Sequence, residues 1–314
     1  MPRRKGKPKK PAKARRPKGT GSVLETADGV MGRVPIGKYP NGRTKYTEVR
    51  ARNKTELEAK MRLVLPPGPD TTVEEWSVRW LEGSGASEPT KDDYRHTLKH
   101  FILPDLGTRR IADLTTHDVE RCGVAWGKKL DSPNTVRKNL GHLATMLEAA
   151  RRDKLLTENP AADAQRPKAR KVEINPFAPA ELARIIADGA QPFVLLAAVG
   201  CRIGESLALD VTDFDAAAGT ISITKTYSHK HGVRRPKSEN GVRTIRVPAS
   251  ALPAIRAAIG TRTKGPLFPN EVGGRMSHQA AHRDWGRLIT RLGLEYRNGH
   301  QLRHSVATAL VASG

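Results

Sequence analysis

The sequence predicts a multidomain chain: a small β-sheet closed by a helix, then an all-α domain, then a mixed α+β domain. Three observations predict it. The length of 314 residues suits two or three domains better than one. Apolar periodicity changes along the chain, from alternation with turn signals, to helical spacing, to a mixture of both. Two polar, proline-bearing stretches fall where the pattern changes, Pro66-Pro67-Gly68-Pro69 and the basic run 166–176.

The elements follow in order. Residues 1–20 carry ten Lys and Arg and no acids, so they cannot bury a core and are expected to be a disordered tail. Such a tail holds a phosphate backbone without reading sequence; a solubility or localisation role is the competing reading. In 21–65, Ser22–Glu25, Val30–Ile36 and Lys45–Ala51 read as strands, separated by the turn signals Asp28-Gly29 and Pro40-Asn41-Gly42. Asn53-Lys54-Thr55 then opens a helix to about Leu63. Arg33, Lys38, Arg43, Lys45, Arg50 and Arg52 would stud this sheet, and a β-ribbon fits a major groove. They read equally as the charges that sheets carry to protect their edges.

Residues 70–165 read as helices. Thr72-Val73-Glu74-Glu75 has capping-box spacing ahead of Trp76 and Trp80. Thr90 starts a second helix with Tyr94, Leu98 and Phe101 at core spacing. Thr116 can cap a third, and Ser132-Pro133 a fourth, lined by Val136, Leu140, Leu143 and Leu147. Lys91, Arg95, Lys99, Arg137 and Lys138 would face phosphates on a DNA-binding surface; ordinary exposed helix charge explains any one of them as well. Beyond the linker, residues 177–314 mix helices at Pro179–Ala187, Phe193–Val199, Ala249–Ile259, Ser277–Leu292 and His300–Ala312 with strands at Thr220–Thr224 and Val242–Val247.

Charge narrows the partner. Lys and Arg number 55 against 32 Asp and Glu, for a formal charge of +23, which points to a polyanion, foremost nucleic acid. The longest apolar run, Phe193–Val199, is too short to span a bilayer, and no apolar stretch follows the basic N-terminus as a secretory signal requires. Two cysteines, Cys122 and Cys201, supply neither a disulfide framework nor a metal cluster, and predict a reducing, cytoplasmic setting. Aromatic residues make up 4%, too few for a surface that stacks single-stranded bases.

The chemistry lies in two short segments. Gly200-Cys201-Arg202-Ile203-Gly204-Glu205 precedes His300-Gln301-Leu302-Arg303-His304 by roughly a hundred residues. Helical residues three apart share a face, so His300 and Arg303 can address one target. Two guanidiniums and an imidazole at one point suit a phosphate in an anionic transition state, which Arg grips with two prongs.

Three motifs together resemble the catalytic domain of the tyrosine recombinases, the phage integrase family. Val199-Gly200-Cys201-Arg202-Ile203-Gly204-Glu205-Ser206-Leu207 is similar to the family's first arginine box. Pro236-Lys237-Ser238, followed by Arg243-Thr244-Ile245-Arg246-Val247-Pro248, is similar to its lysine-bearing hairpin. His300-Gln301-Leu302-Arg303-His304-Ser305 is similar to its His-x-x-Arg box. The helical segment resembles the core-binding domain, and the N-terminal sheet the arm-site-binding domain.

The resemblance implies an integrase that cuts and rejoins double-stranded DNA attachment sites through a 3′-phosphotyrosyl intermediate. It implies a homo-tetramer on DNA, DNA-bending accessory proteins, and a place on DNA in a bacterial cell. Arg202 and Arg303 would clamp the scissile phosphate, with no metal or cofactor needed. Lys237 would protonate the leaving 5′-oxygen, its pKa depressed by Arg234, Arg235 and Arg243. His300 would hydrogen-bond the phosphate, and Glu205 would orient a neighbour. His304 is expected on another face, as packing or support.

One departure stands out. The family's nucleophilic tyrosine follows the His-x-x-Arg box by a few tens of residues, and this chain ends eleven residues after Arg303. Tyr39, Tyr46, Tyr94, Tyr227 and Tyr296 all stand elsewhere, Tyr296 as core or support one turn before His300. The expectation is a C-terminally truncated chain that binds DNA without forming the covalent link, which a denaturing gel with a nicked half-site checks. The alternative is a non-catalytic DNA-binding protein or recombination antagonist. An RNA-binding role lacks paired aromatics on a sheet.

Overall fold

The computed structural model describes residues 22–26, 28–171, 174–236 and 241–312. The basic tail and Lys237 lie outside the described residues. The chain divides into two compact units, Met1–Arg170 and Lys171–Gly314.

The first unit opens with an antiparallel meander of β1 (Ser22–Thr26), β2 (Gly29–Lys38) and β3 (Thr44–Ala51). A bulge between Pro35 and Gly37 shifts the β2–β3 register, where proline has no N–H to offer the ladder. Helix α1 (Lys54–Val64) starts at Asn53, whose side chain accepts the Glu56 N–H at 2.8 Å. Its Leu57 and Met61 pack on Val30 and Val34 to make a small core.

The helices that follow are α2 (Val73–Gly83), α3 (Glu88–Thr97), α4 (Leu103–Leu106), α5 (Thr116–Lys129) and α6 (Pro133–Arg152). A π-helical turn, Leu98–Ile102, joins α3 to α4. The expected capping box at Thr72 forms with Glu75. The cap of α5 is Thr115 rather than Thr116: its hydroxyl accepts the Asp118 N–H, and Asp118 accepts the Thr115 N–H in return. Thr116 is therefore the first helical residue. Ser132 precedes Pro133 as expected but makes no side-chain cap bond. Trp76, Trp126, Leu140, Leu143 and Leu147 fill the core, and each indole N–H has an acceptor, Met146 O at 3.0 Å and Asp105 at 2.7 Å. The start of the basic stretch 166–176 is fastened to α6: Arg137 donates to Pro167 O, and Asn134 exchanges hydrogen bonds with Arg170.

The second unit contains α7 (Pro179–Asp188), α8 (Phe193–Val199), the short α9 (Ile203–Ser206), α10 (Leu252–Ile259), α11 (His278–Arg291) and α12 (His300–Ala312). Strands β4 (Phe214–Asp215), β5 (Thr220–Ile223) and β8 (Arg243–Arg246) form one antiparallel sheet; β6 (Thr226–Ser228) and β7 (Gly232–Arg234) form a hairpin. Strand β4 and the β6–β7 pair are additions to the strands expected from alternation. Each is two or three residues long, too short to show a period. Phe193, Leu196, Ile221, Ile223, Trp285 and Leu302 share one core that seats both arginine-bearing segments. Among the described residues no helix is long and apolar enough to cross a membrane.

Candidate active site

The apolar run of α8 ends at Gly200, whose φ of 64° only glycine adopts easily. The chain turns there, buries Cys201, and presents Arg202 as the residue that begins α9. A methyl group on Gly200 would stand 3.1 Å from the Val306 side chain, so α12 lies close against this turn. Arg303, on the same helix, donates through Nη1 to the Gly200 carbonyl at 2.8 Å. That bond joins the two expected boxes across 103 residues.

His300 begins α12. Burial first, then the electrostatic influence of His304, Arg303 and Arg202, pushes its pKa below the ordinary 6.5. The imidazole is therefore neutral at pH 7, able to donate one hydrogen bond and accept another. His304 does not point away. Its ring meets His300 edge-on, centroids 5.0 Å apart, because residues four apart share a helix face.

Glu205 is 2% exposed and accepts from two guanidiniums. Arg202 Nη1 reaches Oε1 at 2.7 Å, and Arg243 Nη2 reaches Oε2 at 2.8 Å. The Arg202 backbone N–H also donates to Oε2, at 2.9 Å. Burial pushes the carboxyl up, and these donors outweigh it, so its pKa is lowered overall. The Arg243 guanidinium is committed to this carboxylate. Arg234 lies 3.4 Å from the Ser228 hydroxyl.

The hairpin sits against α9. A methyl on Gly204 would come within 2.8 Å of the Thr226 hydroxyl and 3.1 Å of the Tyr227 carbonyl. His278 Nε2 is 3.6 Å from the same point, and burial lowers the pKa of that histidine. Neither Arg243 as a partner of Glu205 nor His278 as a neighbour of α9 is visible in local sequence. A pocket of about 230 Å³ lies beside His300, lined by Phe193, Leu196, Ile203, Ala281 and Trp285. Tyr296, expected as core or support, is not in the core: it is 55% exposed, its hydroxyl 3.4 Å from His282 Nε2.

The basic residues expected on DNA have varied surroundings. Arg33 lies over the Tyr46 ring, 5.4 Å from its centroid, and 3.9 Å from Glu48. Arg43 and Lys45 are exposed. Lys91 pairs with Glu88, Arg95 with Asp92 and Glu88, and Lys138 with Asp93, while Arg137 holds Pro167 O. These helical cations thus have partners on their own unit, and exposed pairs of this kind contribute little to stability.

Residues 181–314 match the phage integrase family. The integrase of Mycobacterium phage FRAT1 is 26% identical over 258 residues, 77% of this chain and 77% of that protein. The Tn1549 transposon integrase, solved with a circular intermediate DNA, shares the fold with a TM-score of 0.67 at 19% identity, over 77% of this chain and 87% of that one. A lambda integrase tetramer bound to a Holliday junction gives a TM-score of 0.60 at 16% identity, over 93% and 90%.

Proposed function

Because this chain belongs to the phage integrase family, the tyrosine recombinases, we propose that its second unit activates a DNA phosphodiester for site-specific strand exchange in the integration and excision of mobile DNA. Arg202 and Arg303 grip the non-bridging oxygens and stabilise the charge that builds as a tyrosine attacks. His300, neutral and hydrogen-bond competent, assists the phosphate, with His304 against its ring. Lys237 gives its proton to the departing 5′-oxygen, so the energy of the phosphodiester is conserved in a 3′-phosphotyrosyl bond. Glu205 orients Arg202. No cofactor takes part.

The observation that carries this reading is the bond from Arg303 to the Gly200 carbonyl, which brings the two arginine boxes to one place. In this reading the first unit holds DNA as core-binding and arm-site-binding domains, through Arg33, Arg43, Lys45, Lys91, Arg95, Arg137 and Lys138. The chain works as a homo-tetramer on paired double-stranded sites, as the lambda integrase does on its junction, with DNA-bending proteins as accessories.

The test separates catalysis from binding. In a protein that also carries the nucleophilic tyrosine segment, Arg202→Ala or Arg303→Ala should lower strand cleavage by roughly a hundredfold or more, the scale for losing one transition-state donor. Site binding, measured by gel shift, should change little. Equal losses in binding and cleavage would favour a pure DNA-binding role.

A further inference from the structure

We infer that Arg243 is a positioning residue that keeps Arg202 from pairing with Glu205 through both outer nitrogens, so that the rest of its guanidinium is presented to solvent. The inference rests on the reading of Arg202 as a phosphate-gripping residue.

A buried carboxylate beside a single arginine is best satisfied by a two-pronged pair. Such a pair would occupy both outer nitrogens of Arg202 and neutralise it. Here Arg243 takes much of the carboxylate's capacity, with Nη2 on Oε2 at 2.8 Å and Nη1 on Oε1 at 3.4 Å. The Arg202 backbone N–H fills more of Oε2. Among the described residues Arg202 keeps one side-chain hydrogen bond, Nη1 to Oε1 of Glu205. Its side chain remains 56% exposed, whereas that of Arg243 is 25% exposed. One carboxylate facing two guanidiniums also leaves one positive charge over, and the exposed member is Arg202.

Arg243 has its backbone anchored outside α9. It opens β8, pairs with Ile223 of β5, and donates to Gly241 O at 3.2 Å. The sheet therefore sets where Arg243 stands, Arg243 sets Glu205, and Glu205 sets Arg202. This gives the arginine of the hairpin motif a task distinct from touching substrate.

The test reads Arg202 directly in the full 314-residue chain, through the side-chain 1H–15N resonances of its arginines. Arg243→Ala should move the Arg202 resonance with no ligand present, and should weaken binding of inorganic phosphate at Arg202 about tenfold, the scale of one charged hydrogen bond lost. Arg243→Lys restores charge without the fork and should recover part of that loss. If Arg243→Ala fails to fold because it strands a buried carboxylate, the double variant Arg243→Ala with Glu205→Gln removes that charge, and its Arg202 resonance should be displaced from that of Glu205→Gln alone. An unmoved Arg202 resonance with unchanged phosphate affinity, in whichever variant folds, overturns the inference. If phosphate moves neither Arg202 nor Arg303 in the unaltered protein, the clamp reading fails instead, and the phosphate-free comparison alone decides the role of Arg243.

Discussion

Single residues around the site are constrained by contact more than by chemistry. Gly204 has no space for a methyl group, since the Thr226 hydroxyl and Tyr227 carbonyl already fill it. Gly204→Ala should destabilise the protein by about 1–3 kcal/mol, the cost of overpacking a tight contact, seen as a lower midpoint in denaturant melts. His300 is governed by charge. Its pKa is lowered by burial and by His304, Arg303 and Arg202, so its titration midpoint should lie below 6.5 by NMR. In Arg303→Ala, with one cation removed, that midpoint should rise. A histidine depressed in the folded state adds stability above its unfolded pKa and loses it as pH falls through the folded value. Asp118 follows the same sign at lower pH. Burial raises its pKa, but Arg109 and Thr115 overcome this and hold it at about 2, against 3.8 unperturbed. Its contribution is full above pH 4 and should disappear between pH 4 and about 2, a slope that Asp118→Asn should abolish in acid melts.

At the scale of elements, caps and apolar periods were legible because both depend on residues within one turn. Asn53, Thr72 and Ser277 each precede a helix and accept one of its free first-turn N–H groups. Thr72→Ala should destabilise the first unit by about 1 kcal/mol. Ser132→Ala should be close to neutral, because Ser132 makes no cap bond; calorimetry on the pair checks both. Less was legible where local signals tie or vanish. Thr115 and Thr116 are equal candidates by type, and only the reciprocal Thr115–Asp118 pair decides between them. Strands β6 and β7 have three residues each and no alternation to read. They exist because they pair with each other and because β6 rests on α9. The π-helical turn Leu98–Ile102 likewise has no local marker in the sequence.

Over the whole molecule, the formal charge of +23 makes polyanion binding the dominant expectation. Affinity for duplex DNA should fall steeply with salt, log affinity changing by about 0.9 per phosphate neutralised for each tenfold change in salt. A flat salt response in a filter-binding series would contradict it. Charge, the order of the elements and the three motif segments were all present in the linear chain. So were Arg202, His300 and Arg303 as candidates, because arginine beside an apolar helix end and His-x-x-Arg on one helix face are local patterns. Their convergence was not, and neither was the partner of Glu205. Arg303 meets Gly200 across 103 residues, and Arg243 meets Glu205 across 38. Periodicity and capping are settled by neighbours within about four positions. A carboxylate buried between two guanidiniums is settled by where a sheet, a short helix and a turn pack together, and only the folded chain brings those three to one point.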